Sequence, residues 1–194
     1  VKAEFYLRLD PPAPARQRQQ LAVGIRLRLY PRYRQIRPVT LNFDQYGAAA
    51  AMLDQNESYS VAIERGPPDA YLEQPLVIDG APGNFALTVS MRGARAAGQV
   101  VDGNDKPVPG ASVTLIPEST GRLAQPFPEG FAELDGGAFL QGIAPGSYVA
   151  VPWLDNPPCD FHTPGAYESC LPHGTRVELK AGEDKTIPLR LKLR

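Results

Sequence analysis

Residues 98–148 read GQVVDGNDKPVPGASVTLIPESTGRLAQPFPEGFAELDGGAFLQGIAPGSY, and no other stretch narrows the possible folds so far. An alternating segment led by Gly98 runs into Asp102-Gly103-Asn104. Lys106-Pro107-Val108-Pro109-Gly110 then precedes a second alternation at 111–116. Gly137-Ala138-Phe139 and Gly142-Ile143-Ala144-Pro145-Gly146-Ser147-Tyr148 place two more corners ahead of an apolar segment at 148–153. Glycine supplies positive φ at such corners, and proline pre-sets φ at the first position of a turn. Short strands between corners of this kind predict an all-β chain folded as antiparallel sandwiches.

The run G-x-V-V-D-x-N-x-K-P-V-P-G-A-S-V-T-L, then G-x-F, then G-I-A-P-G-S-Y, resembles the carboxypeptidase regulatory-like domain over about residues 94–194. That resemblance implies a prealbumin-like (transthyretin-like) β-sandwich of seven or so strands. It also implies an accessory module of secreted and cell-envelope proteins, with no activity of its own. Gly136 stands where the family usually has an acidic residue before G-x-F, so the geometry of that turn is open.

The N-terminal half repeats the order of the second. Residues 58–63 followed by Gly66-Pro67-Pro68 parallel 147–151 followed by Asn156-Pro157-Pro158. Val77-Ile78-Asp79-Gly80 and 85–89 parallel Leu179-Lys180-Ala181-Gly182 and 187–191. Residues 25–31 sit where 112–117 sit, and Asp44 with Gly47 where Asp135 with Gly137 sit. The small-residue run 48–53 reads as a strand or loop. Two tandem prealbumin-like (Ig-like) sandwiches follow, a diverged one at 1–92 and the carboxypeptidase regulatory-like one at 93–194.

At the start, Val1, Ala3, Phe5, Leu7 and Leu9 alternate with Lys2, Glu4, Tyr6, Arg8 and Asp10, the period of a strand with one apolar face. The Pro-rich and Gln-rich residues 10–20 read as a stiff tether, and a second strand is expected over 21–30. Two roles stay open for this arm. It is the first strand of its own sandwich, or it is added to a neighbouring subunit, where strand complementation repeated without closure builds a filament.

Every Cys and His of the chain lies in one short segment, as Cys159-x-x-His162 and Cys170-x-x-His173. In a module of secreted type, a Cys159–Cys170 disulfide is the first reading; a tetrahedral metal site of Cys159, His162, Cys170 and His173 is the alternative, ahead of free thiols. Trp153, Phe161 and Tyr167 surround these cysteines and either stack on a glycan or cover the end of the core. Arg26, Arg28, Arg32, Arg34 and Arg37, with Tyr30 and Tyr33, read as a charged strand face that could also meet an anion. Asp102, Asp105 and Asp135 read as turn caps. Asn56-Glu57-Ser58 fits a glycosylation sequon. Ser58, Ser147 and Ser169 lack the Gly-x-Ser-x-Gly context of a hydrolase elbow.

A net charge of −1 supplies no global attraction to nucleic acid or anionic lipid, and no apolar run approaches the ~18 residues of a membrane span. The chain starts at Val1, which fits either signal removal or an excised piece. The reading reached is a non-enzymatic, cofactor-free, extracellular, cell-surface or periplasmic structural protein. It self-associates as a filament subunit through residues 1–10. The alternative is a carbohydrate-binding accessory module of a secreted or cell-envelope protein.

Overall fold

The structure is a computed structural model, and it describes residues 1–74, 77–118, 127–161 and 166–191. The chain divides into two compact units, Val1–Gly93 and Ala94–Arg194.

Unit 1 contains β1 (Lys2–Asp10), α1 (Ala15–Gly24), β2 (Arg26–Pro31), β3 (Val39–Asn42), β4 (Ala48–Met52), β5 (Ser58–Arg65), β6 (Tyr71–Gln74), β7 (Val77–Asp79) and β8 (Gly83–Ser90). They form two sheets in the orders β4-β1-β8-β6 and β3-β2-β5-β7. Alternation decides which side chains face the core: Ala3 and Phe5 from β1 and Leu27 and Leu29 from β2 are all buried between the sheets. Phe5 stacks on Phe85 across the β1·β8 pair, ring centroids 5.4 Å apart. Full burial of such a ring contributes about 1.5–3 kcal/mol.

β1 lies in its own chain's sheet, antiparallel to β4 and parallel to β8, so both of its edges are taken. The N-terminal ammonium donates to the Leu53 carbonyl at 2.6 Å. In this single chain Val1, Ala3, Phe5, Leu7 and Leu9 thus take the first of the two roles open to the arm, a strand of their own sandwich. The β1·β8 pair corrects the wholly antiparallel expectation, because alternation reports which face is buried but not the direction of the partner strand.

The tether is corrected as well: residues 15–24 form helix α1, and β2 begins only at Arg26. All three prolines precede the helix, where a missing N–H is harmless, and ARQRQQLA is made of good helix formers.

Unit 2 contains β9 (Ala94–Val101), β10 (Ser112–Pro117), β11 (Glu129–Phe131), β12 (Gly137–Ile143), β13 (Gly146–Trp153), a 3₁₀ segment Ala166–His173, β14 (Thr175–Leu179), β15 (Asp184–Thr186) and β16 (Leu189–Arg190). Its sheets run β11-β10-β13-β14 and β12-β9-β15, with β16 continuing along β9. β15 and β16 both pair parallel with β9 and are separated at Ile187 and Pro188, where proline has no N–H for the ladder. A second sealed core lies between these sheets.

Most pairings of the two units share one register; the exceptions include a bulge at Arg26/Leu27 in unit 1 and the additional edge strand β6. Pro31 faces Tyr59 as Pro117 faces Tyr148, and Tyr59 faces Ile78 as Tyr148 faces Val177. Arg26 faces Asn42 as Ser112 faces Phe131. Ala3 lies between Ala51 and Gly83 as Ala96 lies between Leu140 and Lys185. The β3–β4 and β11–β12 turns share a hydrogen-bond pattern. Gly47 N donates to Asp44 O and Leu7 N to Gly47 O; likewise Gly136 N donates to Glu133 O and Val100 N to Gly136 O. Both glycines have φ +78°, and a Cβ on Gly136 would lie 2.9 Å from the Val100 carbonyl oxygen. Gly136 is therefore the residue this corner needs. The sequence overlay is out of register in two places. Val77 matches Arg176, not Leu179, because the loops that follow differ in length, and Gly47 matches Gly136, not Gly137.

Candidate functional site

The units differ most in the connection that follows their fifth strand. In unit 1 it supplies β6, which joins the edge of β8. In unit 2 it folds over the outer face of β10 and β13, and β10 is consequently buried along its whole length. Ile116, Val149 and Val151 on that face meet Phe127, Phe161 and Cys170 in a small third core, with Trp153 and Tyr167 packed against it. A Cys159–Cys170 disulfide staples the cover.

Trp153 donates Nε1–H to the buried Thr114 hydroxyl at 3.0 Å and lies against Phe161, while Tyr167 meets Phe127 edge-on. Phe161 is buried in this third core, and Trp153 and Tyr167, both half-buried, pack against it. The metal alternative loses both thiolates to the disulfide. His162 lies outside the described residues, His173 ends the 3₁₀ segment, and no group of three or more metal-ligating side chains occurs among the described residues. Asp102 and Asp135 act as turn caps: Asp102 Oδ1 accepts from Asn104 N and Lys106 N, and Asp135 Oδ1 from Gly137 N. Asp105 pairs with Arg190. Ser58 Oγ donates to the Asp79 carboxylate across the β5·β7 pair, and Ser169 Oγ donates to the Ala166 carbonyl within the 3₁₀ segment.

In unit 1 the matching outer face is open and charged. Arg28 pairs with Glu64 at 2.8 Å and lies over the Tyr30 ring, and Arg26 donates to Asn42. Beyond β2 the chain presents Arg32, Tyr33, Arg34, Ile36 and Arg37 on a loop held from below by Glu57. This carboxylate is only 3% exposed and accepts four backbone N–H groups: Arg32 (3.1 Å), Tyr33 (3.0 Å) and Ser58 (2.9 Å) on Oε1, Arg34 (2.8 Å) on Oε2. Burial opposes the charge, but the four donors outweigh it and hold the Glu57 carboxyl below the usual carboxylate range. Arg34 pairs with Asp54, whereas no ion pair involves Arg32 or Arg37 among the described residues. Tyr33 is 71% exposed. Sequence reading treated Glu57 only as the centre of a sequon; nothing in a lone glutamate before a strand signals four backbone partners.

Sequence reading also missed an apolar patch where β11 and β12 form the open edges of their sheets. Phe131 (68%) and Phe139 (55%) are exposed there and border a groove with Gln99 and Thr186, and Leu134 (93%) is exposed in the turn between them, beside Pro109 and Gly110. The charged residues of this stretch of chain, Glu129, Glu133 and Asp135, are exposed and acidic, and Glu133 and Asp135 line the groove. The corresponding positions of unit 1 are Asn42, Gln45 and Ala50, polar or small. The patch therefore belongs to unit 2 and not to the shared fold.

No family model matches the chain, and no curated protein matches it. Among solved structures, it is similar to the Bacillus anthracis TIE protein at 13% identity and TM-score 0.37, covering 97% of this chain and 33% of that one. It is similar to GBS52, the minor pilin of Streptococcus agalactiae, at 11% identity and TM-score 0.37, covering 97% and 95%. The shaft pilin SpaA of Lactobacillus rhamnosus GG is similar at 10% identity and TM-score 0.34, covering 100% and 98%. The chain thus spans a third of the length of the TIE protein, and at these TM-scores the likenesses carry no argument about function. Among the described residues, no helix is long and apolar enough to cross a membrane.

Proposed function

We propose that this chain is a non-enzymatic structural subunit of an extracellular or cell-surface assembly. It consists of two copies of a carboxypeptidase regulatory-like, prealbumin-like sandwich and acts by associating with further copies of itself. The observation that carries this reading is the shared register of the central strand pairs in the two units, which differ chiefly in the connection after the fifth strand and in their outward side chains. Repeating a scaffold while varying its faces builds length and contact surface. The polar interior serves the scaffold too: Glu57, the one ionisable group among the buried polar residues described, binds backbone. The disulfide suits an oxidising compartment.

A filament formed by exchange of β1 would reuse the seat that β1 holds in cis, so unit 1 would have to open first. Sedimentation velocity of the full chain over a range of concentrations tests the proposal. Concentration-dependent oligomers support it, and a monomer at every concentration overturns it. Deleting residues 1–10 tests the arm: loss of β-structure in unit 1 marks β1 as local structure, whereas a folded unit 1 with lost assembly returns it to a role in trans.

A further inference from the structure

The molecule carries two exposed surfaces that its own fold does not explain. One is the β11–β12 edge of unit 2, where exposed Phe131 and Phe139 share a groove with Glu133 and Asp135, and exposed Leu134 and Glu129 belong to the same stretch of chain. The other is the unit 1 loop at 32–37, with two arginines in no ion pair, an exposed tyrosine and a partly exposed isoleucine. Each combines apolar side chains with charges of a single sign, and the two signs are opposite. We infer that the edge of unit 2 around Phe131, Leu134 and Phe139 in one copy docks on the basic, aromatic loop at 32–37 of unit 1 in a second copy. This rests on the self-association proposed above and names the surfaces that perform it.

The chemistry of the contact follows from the side chains. Arg guanidinium groups fork onto carboxylates and also stack on rings, so Arg32 and Arg37 can meet the carboxylates while Tyr33 and Ile36 cover the apolar side chains. Glu57 fixes the loop backbone before contact, which reduces the ordering entropy that association would otherwise cost. The partners are different patches of one chain, so the contact is heterologous; where it does not close into a ring it continues as a linear assembly. Each patch consists of about six residues, against the roughly 20–30 a side of a stable interface, so each contact is weak, with Kd on the order of 10 µM or above. Opposite exposed charges are screened by salt, so assembly weakens as ionic strength rises.

The test uses two full-length charge-reversed proteins, one carrying Arg32→Glu with Arg37→Glu, the other Glu129→Lys with Glu133→Lys. None of these side chains caps a turn or supports the core. Circular dichroism confirms folding, and sedimentation velocity reads association. Each variant alone should self-associate at least tenfold more weakly than the natural chain, and an equimolar mixture should recover association, since it restores opposite signs at every contact. If the natural chain oligomerises and both variants match it, this pairing of surfaces is wrong while the structural role stands. If each variant weakens association but the mixture does not recover it, the two patches are not partners. If the natural chain is monomeric throughout, both proposals fail together.

Discussion

Replacing Glu57 with glutamine substitutes one oxygen by an amino group in a site that holds only donors. The oxygen is best kept at the Oε1 position, where it still accepts from Arg32, Tyr33 and Ser58. The new NH2 then faces the Arg34 N–H, which the carboxylate bound at 2.8 Å. One bond is lost with its donor left unsatisfied, about 1–3 kcal/mol, and the surviving bonds lose the strengthening a charged acceptor supplies. A total of about 2–4 kcal/mol against unit 1 is expected. Urea titration by far-UV circular dichroism measures it, together with amide exchange at Arg32, Tyr33 and Arg34. Emission from Trp153, the one tryptophan, reports unit 2 instead. The sign of the pH dependence also follows. The folded-state pKa of Glu57 lies below its unfolded value, so its contribution is complete above the unfolded pKa of about 4.3 and is lost as pH falls through the folded value. The gap between the natural protein and Glu57→Gln should therefore be full at neutral pH and close in acid below the ordinary carboxylate range. A gap under about 0.5 kcal/mol at neutral pH, or one unchanged by acid, would refute this account of the loop.

Opening the Cys159–Cys170 bond, by reduction or by serine at both positions, frees an 11-residue separation and should cost unit 2 about 2.5–3 kcal/mol, with a red shift of Trp153 emission as the cover loosens; unchanged emission and stability would mean that the third core holds without its staple. A Cβ at Gly98 would run into the Ile187 carbonyl and lie 2.9 Å from Leu189 Cδ1, so Gly98→Ala should cost about 2–4 kcal/mol by thermal or chemical unfolding. Gly103→Ala, whose Cβ meets nothing within 4 Å, should stay within about 0.5 kcal/mol, and equal costs would sink the close-approach argument. Phe5→Ala empties a fully buried site and should destabilise monomeric unit 1 by about 3–5 kcal/mol; a variant with intact monomer stability would show that β1 does not serve its own sheet.

Unit 2 was legible in the sequence because its corners are glycine and proline, residues whose backbone limits survive any tertiary context. Unit 1 has few such corners and became readable only through the parallel order of its strands, with Tyr59 standing for Tyr148. Helix α1 was not legible, because prolines and glutamines together imitate a tether, and a mostly exposed helix has no clear apolar stripe to mark it. The patch was hidden for another reason. Phe131 stands between Gly130 and Ala132 and Phe139 between Ala138 and Leu140, apolar settings that suit core positions, and their exposure follows only from the register that puts Gly130, Ala138 and Leu140 inward. The tryptophan, phenylalanine and tyrosine near the cysteines are equally compatible with a platform and a cover in the sequence, because the Trp153–Thr114 hydrogen bond that orients the indole joins residues 39 apart.

The connection after the fifth strand has a consequence beyond this chain. One version of it ends as an extra edge strand and the other as a stapled lid, yet the strands on either side keep the same partners. That junction tolerates replacement without retuning the interior, so exchanging the two segments between the halves should yield a folded chimera whose outer faces have traded places.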